Sequence, residues 1–296
     1  MRSLSLLIIS IGLILSSCSK KNLDFLYVEP ERRMAPASFD FYTEDTECID
    51  HHWDFGDGDT GADTATSHTY FLSGVYTVTL SAKQGNKLRQ AKKQVYVDAP
   101  DKCLIKIETS HGTMIAELYD KTPKHRDNFV KLAEEGYYND LLFHRVISGF
   151  MIQGGDPDSK GASADQRLGT GGPGYQVDAE ITKELAHVKG ALAAARIGGP
   201  MNPEKRSSGS QFYIVQGRSV DDQQIAQMEA RLDLVYSEEV RSRYLRDGGT
   251  PFLDQDYTVF GQVIEGMDII DDIAKVRTAP GDRPMEDVWM KVSVIK

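Results

Sequence analysis

Residues 143–156 read FHRVISGFMIQGGD. Two short strand-like runs, FHRVI and FMIQG, meet at Ser148-Gly149. Apolar side chains at Phe143, Val146, Ile147, Phe150, Met151 and Ile152 surround one cation, Arg145, and one amide, Gln153. A charge among apolar groups costs several kcal/mol unless it is paired or used. Arg145 is therefore either the outward position of a strand or a fixed cation beside an apolar pocket. The two-residue period of a strand predicts Phe143, Arg145 and Ile147 on one face, and Met151 and Gln153 on one face of the next. It sends His144 to the opposite side, as a structural histidine satisfied by its surroundings.

Working outward, CLIKIETSHGTMIAELY predicts two strands around a turn at His111-Gly112. Thr122-Pro123 opens a helix as N-cap and first-turn proline, Phe129, Leu132 and Ala133 lie on its apolar side, and Gly136 closes it. GALAAA, SQFYIVQG, YTVFGQVIEG and VWMKVSVI add strands, with a helix from Met267 to Val276 before the last. Many strands, few helices and frequent glycine turns predict a closed antiparallel barrel. GTGGPG at 169–174 lacks the Gly-Lys-Ser/Thr ending of a phosphate loop and opens no helix, so it is a surface loop. Ser207, Ser208 and Ser210 have no histidine and acid at hydrolase-like spacing.

Residues 219–249 interrupt the strand pattern. A Ser219…Asp222 capping pattern starts the stretch, and Gly248-Gly249 ends it. Ile225, Met228, Leu232, Val235, Tyr236 and Val240 recur at helical spacing. The expectation is an extra helix, dispensable for folding of the barrel, that packs on it, shapes one end of a groove or docks a partner.

FHRVISGFMIQGGD, GTGG at 169–172, SSGSQFYI at 207–214 and FLDQDYTVFGQVIEGMDIID at 252–271 follow one another in an order that resembles the cyclophilin-type peptidyl-prolyl cis–trans isomerases. The resemblance spans 103–296 and implies an eight-stranded β-barrel with capping helices and a hydrophobic groove. It implies that Arg145 is the main catalytic group and that Gln153 orients it. Phe150, Met151, Tyr213, Phe252, Leu253 and Tyr257 would wall the proline pocket, and Ala195, Arg196 and Gln211 would line the substrate backbone. The family more often has tryptophan at Phe252, histidine at Tyr257 and asparagine at Arg196. The implied chemistry needs no nucleophile, metal or cofactor.

Upstream, ASFDFY, HHWDFG, GVYTVTLSAK and KQVYVDA alternate with Gly, Asp and Asn turns and predict an all-β sandwich over 27–98. WDFGDG followed by SHTYFLSGVYTVTL resembles the PKD domain, an immunoglobulin-like module, which implies a spacer or a binding module for a protein or polysaccharide ligand. Asp54, Asp57, Asp59 and Asp63 do not have the EF-hand spacing and read as turn residues. His51 and His52 point to opposite faces of a strand, which argues against a shared metal.

The first twenty residues, MRSLSLLIISIGLILSSCSK, hold one early cation, an apolar run and small residues before Cys18. The run is shorter than the roughly 20 residues of a membrane span and matches a signal-peptide core. LSSC resembles a bacterial lipoprotein signal, which implies a signal peptide over 1–17, a lipidated Cys18 with linker over 18–26, and an outer-membrane anchor facing the periplasm. Cys48 and Cys103 remain, and an exported location permits a bridge between them without requiring one. With 40% hydrophobic and 26% charged residues the chain is globular, and a net charge of −10 argues against nucleic acid as a partner. The division is 1–17, 18–26, 27–98, a linker over 99–102, and 103–296 with its 219–249 insertion. The expected function is rotation of X–Pro bonds in exported envelope proteins. The rival is an envelope-anchored module that binds proline segments or partners without turnover.

Overall fold

A computed structural model describes residues 22–296; the signal peptide expected over 1–17 and the expected lipidation site Cys18 lie outside the described residues. The chain forms two compact units, one holding 37–70 and 74–97 with the segment up to Arg33, the other holding 98–296 with the short pieces 34–36 and 71–73. Both remaining cysteines are free thiols.

The first unit has seven strands: β1 (Leu26–Val28), β2 (Ala37–Tyr42), β3 (Ile49–Asp54), β4 (Thr60–Ala62), β5 (Ala65–Tyr70), β6 (Gly74–Gln84) and β7 (Lys87–Val97). They make two antiparallel sheets, ordered β1-β2-β5 and β4-β3-β6-β7. In β2, Ala37, Phe39 and Phe41 are buried while Ser38 and Asp40 are exposed, the period of a half-buried strand. Phe25, Phe39, Phe41, Trp53, Phe55 and Tyr70 fill the interior. Phe25 meets Trp53 edge to face at 5.1 Å, and the indole donates to the Asp63 carbonyl at 3.0 Å. In WDFGDG the aspartates accept backbone N–H groups: Gly56 donates to Asp54 at 2.9 Å and Asp59 to Asp57 at 3.1 Å. Gly56 has φ +83°, and a Cβ there would lie 2.9 Å from the Thr77 carbonyl oxygen, so only glycine fits. Asp57, Asp59 and His68 bring ligand atoms within 4.8 Å of one another, a grouping the spacing of the aspartates alone does not reveal.

The second unit runs β8 (Cys103–Thr109), β9 (Gly112–Leu118), α1 (Pro123–Glu134), β10 (Leu141–Leu142), β11 (Arg145–Ile147), β12 (Met151–Gly154), β13 (Gln176–Val177), β14 (Ala191–Ala194), β15 (Ser207–Ser208), β16 (Phe212–Val215), α2 (Asp222–Leu232), α3 (Glu238–Asp247), β17 (Val259–Glu265), α4 (Met267–Ile273) and β18 (Trp289–Ile295). The main sheet is ordered β10-β18-β8-β9-β17-β14-β16-β12-β11. Its two outermost strands, β10 and β11, are separated in sequence only by Phe143 and His144. Two residues span about 10 Å at most, so the sheet must curl until its edges meet. Nine strands appear where eight were expected because one strand is interrupted at Phe143-His144. The interruption also shifts the side-chain alternation. Phe143 is fully buried in the core against Phe212, and only Arg145 and Ile147 keep the face expected for all three.

Phe129 and Leu132 from α1 and Ile270 and Ile273 from α4 close the core formed by Ile105, Ile107, Met114, Ile152, Ile214 and Phe260. The cap of α1 differs from expectation. The Thr122 hydroxyl donates backward to the Tyr119 carbonyl, and the Glu180 carboxylate accepts from the Lys124 and His125 N–H groups at 3.0 and 2.9 Å. A carboxylate suits the orphan donors and positive end of a helix N-terminus better than a hydroxyl does.

The insertion holds two helices, not one. Asp233 adopts φ +49° and ends α2, and the Ser237 side chain caps α3. Asp221, with Gln224 as its reciprocal partner, caps α2 in place of the expected Ser219…Asp222 pair. Val235 falls in the link and is 86% exposed. Ile225, Leu234, Tyr236, Val240 and Tyr244 pack on Ala186, Val188 and Val220, forming a core of their own. The insertion therefore supplies buried surface in a cluster separate from the barrel core.

Candidate active-site groove

Strand register assembles the groove. Arg145 lies opposite Gln153, Gln153 opposite Tyr213, and Tyr213 opposite Ala193, one row across β11, β12, β16 and β14. Directly paired residues project on the same side of a sheet, so the cation, the amide and the phenol share a face. The neighbouring row pairs Ile147 with Met151.

A cavity of about 170 Å³ opens on this face, lined by Arg145, Phe150, Met151, Gln153, Ala195, Arg196, Tyr213, Leu253 and Tyr257. Nine of the residues expected in the groove thus come together. Gln211 and Phe252 do not line it. Gln211 stands behind, accepting from Gln153 Nε2 at 3.1 Å and donating to the Gly171 carbonyl at 2.8 Å. Phe252 stacks outside Phe150 at a centroid distance of 5.7 Å and is 49% exposed. It sits on the short 3₁₀ turn Pro251–Leu253, which directs Leu253 inward and Phe252 outward. A larger cavity of about 780 Å³ also touches Arg145 and Gln153 and is otherwise lined by the 164–170 and 279–287 loops with His144.

The two guanidinium groups of the smaller cavity are held differently. Arg196 Nε donates to the Asp256 carbonyl at 2.7 Å and its head lies 4.6 Å from the Tyr257 ring centroid, so it is committed. Arg145 Nε reaches Asp282 at 3.3 Å, and one Nη approaches Gln153 Oε1 at 3.5 Å, long for a hydrogen bond. Among the described residues its other Nη has no partner. Gln211 and Gln153 thus form a chain of amides behind Arg145, and Asp282 contacts it from another loop.

Tyr213 forms the pocket wall with its hydroxyl pointing away into the protein. The hydroxyl meets His187 Nε2 at 3.0 Å, and His187 Nδ1 meets Asp254 Oδ1 at 2.7 Å. Asp254 Oδ1 also accepts the His187 backbone N–H at 2.8 Å, while its Oδ2 accepts the hydroxyls of Tyr236 and Tyr244 at 2.5 and 2.6 Å. With Nδ1 on the carboxylate, the ring is oriented so that Nε2 faces the Tyr213 hydroxyl. Burial pushes the Tyr213 and Tyr244 phenols well above their ordinary range, so both stay protonated donors. The sequence reading missed His187, Asp254 and Asp282. Asp254 lies inside a quoted motif, yet nothing local distinguishes a buried carboxylate from a solvated one.

His144 is buried as a structural residue would be, but it is not satisfied. It is 5% exposed and neither ring nitrogen has a hydrogen-bond partner among the described residues. The strand interruption turns it toward Gly169, where a Cβ would sit 3.7 Å from Nε2. Burial pulls its pKa below the ordinary histidine value, with the Asp156 charge opposing.

The family described as "Cyclophilin type peptidyl-prolyl cis-trans isomerase/CLD" matches residues 104–294. The chain belongs to this family. It is a cyclophilin-type peptidyl-prolyl cis–trans isomerase, and its substrates are proline-containing peptides. A protein named as a peptidyl-prolyl cis-trans isomerase from Staphylococcus saprophyticus is 40% identical over 183 residues, 62% of this chain and 86% of that one. Its counterpart in Staphylococcus aureus strain USA300 is 37% identical over the same shares. The crystal structure of a Cryptosporidium parvum cyclophilin aligns with 25% identity and a TM-score of 0.49, covering 66% of this chain and 98% of that one. Residues 32–99 match the PKD domain. A mainly β architecture, with a PKD region followed by a cyclophilin domain, is therefore what the sequence had implied.

Proposed function

We propose that Arg145 is the catalytic group of this cyclophilin, oriented by Gln153, and that Phe150, Met151, Tyr213, Leu253 and Tyr257 grip the proline ring. Amide rotation is opposed by about 18–20 kcal/mol because the nitrogen lone pair is delocalised into the carbonyl. The two X–Pro isomers differ by only about 0.5–1 kcal/mol, so the task is kinetic. Twisting the bond localises the lone pair on the prolyl nitrogen and changes the charge on the carbonyl oxygen. A planar guanidinium at the cavity mouth donates hydrogen bonds to the peptide as that change develops, and the apolar wall holds the ring still while the bond turns. Only interactions stronger in the twisted state than in either planar one accelerate the exchange. The observation that supports this reading is the unpartnered Nη of the half-exposed Arg145, in a cavity whose other guanidinium is tied to the Asp256 and Ile197 carbonyls and lies over the Tyr257 ring. Arg196 and Ala195 border the substrate backbone, and Gln211 acts through Gln153.

The clients are exported polypeptides folding in the cell envelope, where the chain is held by a lipid on Cys18 at the outer membrane and faces the periplasm. The apolar run before Cys18 supports this, and the PKD sandwich serves as a spacer or as a binder of an envelope protein or polysaccharide. The full chain should catalyse isomerisation of an Ala–Pro peptide in stopped-flow measurements. Binding of the peptide without faster exchange would instead support a non-catalytic proline-binding module. Cys18→Ser should move the protein from the membrane to the soluble periplasmic fraction, and continued membrane attachment would overturn the anchor.

A further inference from the structure

We infer that the insertion builds a second subsite of the groove, which takes a large apolar side chain of the substrate within two residues of the proline. The inference rests on the proline-pocket reading above. A cavity of about 490 Å³ is lined by Ile147, Phe150, Val220, Met228, Pro251 and Phe252, with Gln224 and Gln227 of α2 on its polar side. Phe150 lines this cavity and the proline pocket alike, so the two are neighbours across one aromatic ring. An extended peptide advances about 3.3 Å per residue, which brings the next one or two side chains into reach when the proline is seated. The continuity selects the substrate chain itself as the occupant.

The chemistry of the lining selects its class. Phe252 presents a half-exposed ring at the lip, and Met228 is a flexible apolar contact on α2. The charged lining residue is Arg218, and among the described residues no carboxylate lines the cavity, so the site disfavours lysine or arginine. The wall is also fixed in place. Arg241 bridges Asp222 and Glu229 of α2 at 2.8 and 3.0 Å, and Tyr236 and Tyr244 fasten the insertion to Asp254, two residues from Phe252. A preorganised wall loses little ordering entropy on binding.

The test compares Ala–Pro peptides carrying Ala, Leu or Lys at the position before the Ala–Pro pair or after the proline, using the full chain. Leu at one of these flanks should raise kcat/KM about tenfold over Ala, mainly through KM, and Lys should not. Met228→Glu should bring the Leu-to-Ala ratio close to one, and Met228→Leu should retain it, with circular dichroism reporting that both are folded. A ratio near one in the unmodified protein, or a ratio unmoved by Met228→Glu, overturns the subsite. Absence of exchange for every peptide would overturn the catalytic reading, and the subsite with it.

Discussion

Arg145 and Asp254 border the same apolar pocket, one at its mouth and one behind its wall, and the chain holds them in opposite ways. The Arg145 side chain is 42% exposed and its two contacts measure 3.3 and 3.5 Å. The Asp254 side chain is 1% exposed and accepts four hydrogen bonds between 2.5 and 2.8 Å. A buried carboxylate persists only when its lone pairs are filled, whereas a solvated guanidinium can leave donors unassigned. Rigidity is thus concentrated behind the pocket and not at its mouth. The support behind the wall is overdetermined, and the cation at its mouth is loosely tethered.

Substitutions at the rigid end should cost the fold. Asp254→Ala strands the His187 ring and two phenols, and should lower unfolding stability by about 3–5 kcal/mol in denaturant titration. Replacing residues 219–249 by a short Gly/Ser loop should be at least as damaging, because it removes two of Asp254's four donors and uncovers Ala186 and Val188. Stability within 1 kcal/mol of the parent for Asp254→Ala would erase the contrast. Tyr213→Phe keeps the ring that faces the pocket and deletes its buried hydroxyl. The expected loss is about 1–3 kcal/mol of stability, with kcat/KM falling far less than for a substitution of Arg145.

The same contrast explains what could be read without coordinates. Arg145, Gln153, Met151 and Phe150 lie within nine residues, and pairing of two adjacent strands was enough to bring them together. The partners that hold them lie far along the chain. Asp282 is 137 residues from Arg145, and Asp254 is 67 from His187. No local period reports such contacts. The interruption at Phe143-His144 was equally hidden, because both halves remain strand-like while the alternation slips between them. In the insertion, apolar residues keep helical spacing through Val240, and the left-handed turn at Asp233 that splits the helix carries no glycine to announce it. Local reading therefore placed Arg145, Gln153, Met151 and Phe150 together, the family resemblance supplied Tyr213, Leu253 and Tyr257, and the scaffold behind them was missed.

The smallest expected effect comes from His144. An imidazole harder to protonate in the folded chain than in the unfolded one binds fewer protons when native, so acidification disfavours the native state. Its contribution should be present above about pH 6.5 and be lost as pH falls from there toward the depressed folded value. His144→Phe should flatten that part of the stability profile, measured by thermal unfolding between pH 7.5 and 5. An unchanged profile would assign the acid sensitivity elsewhere, with His125, also lowered by burial, as the next group to replace.

On the proposed mechanism the loosely held cation supplies rate and not stability, and Arg145→Ala measures it. Removing one hydrogen-bond donor aimed at a developing charge typically costs about 2.7–4 kcal/mol, or roughly 10²–10³ in rate. Stopped-flow isomerisation of an Ala–Pro peptide should show kcat/KM reduced by that factor, while thermal unfolding of the same preparation matches the parent. A folded Arg145→Ala protein with near-parental turnover would contradict the account and leave Arg145 as the outward face of a strand.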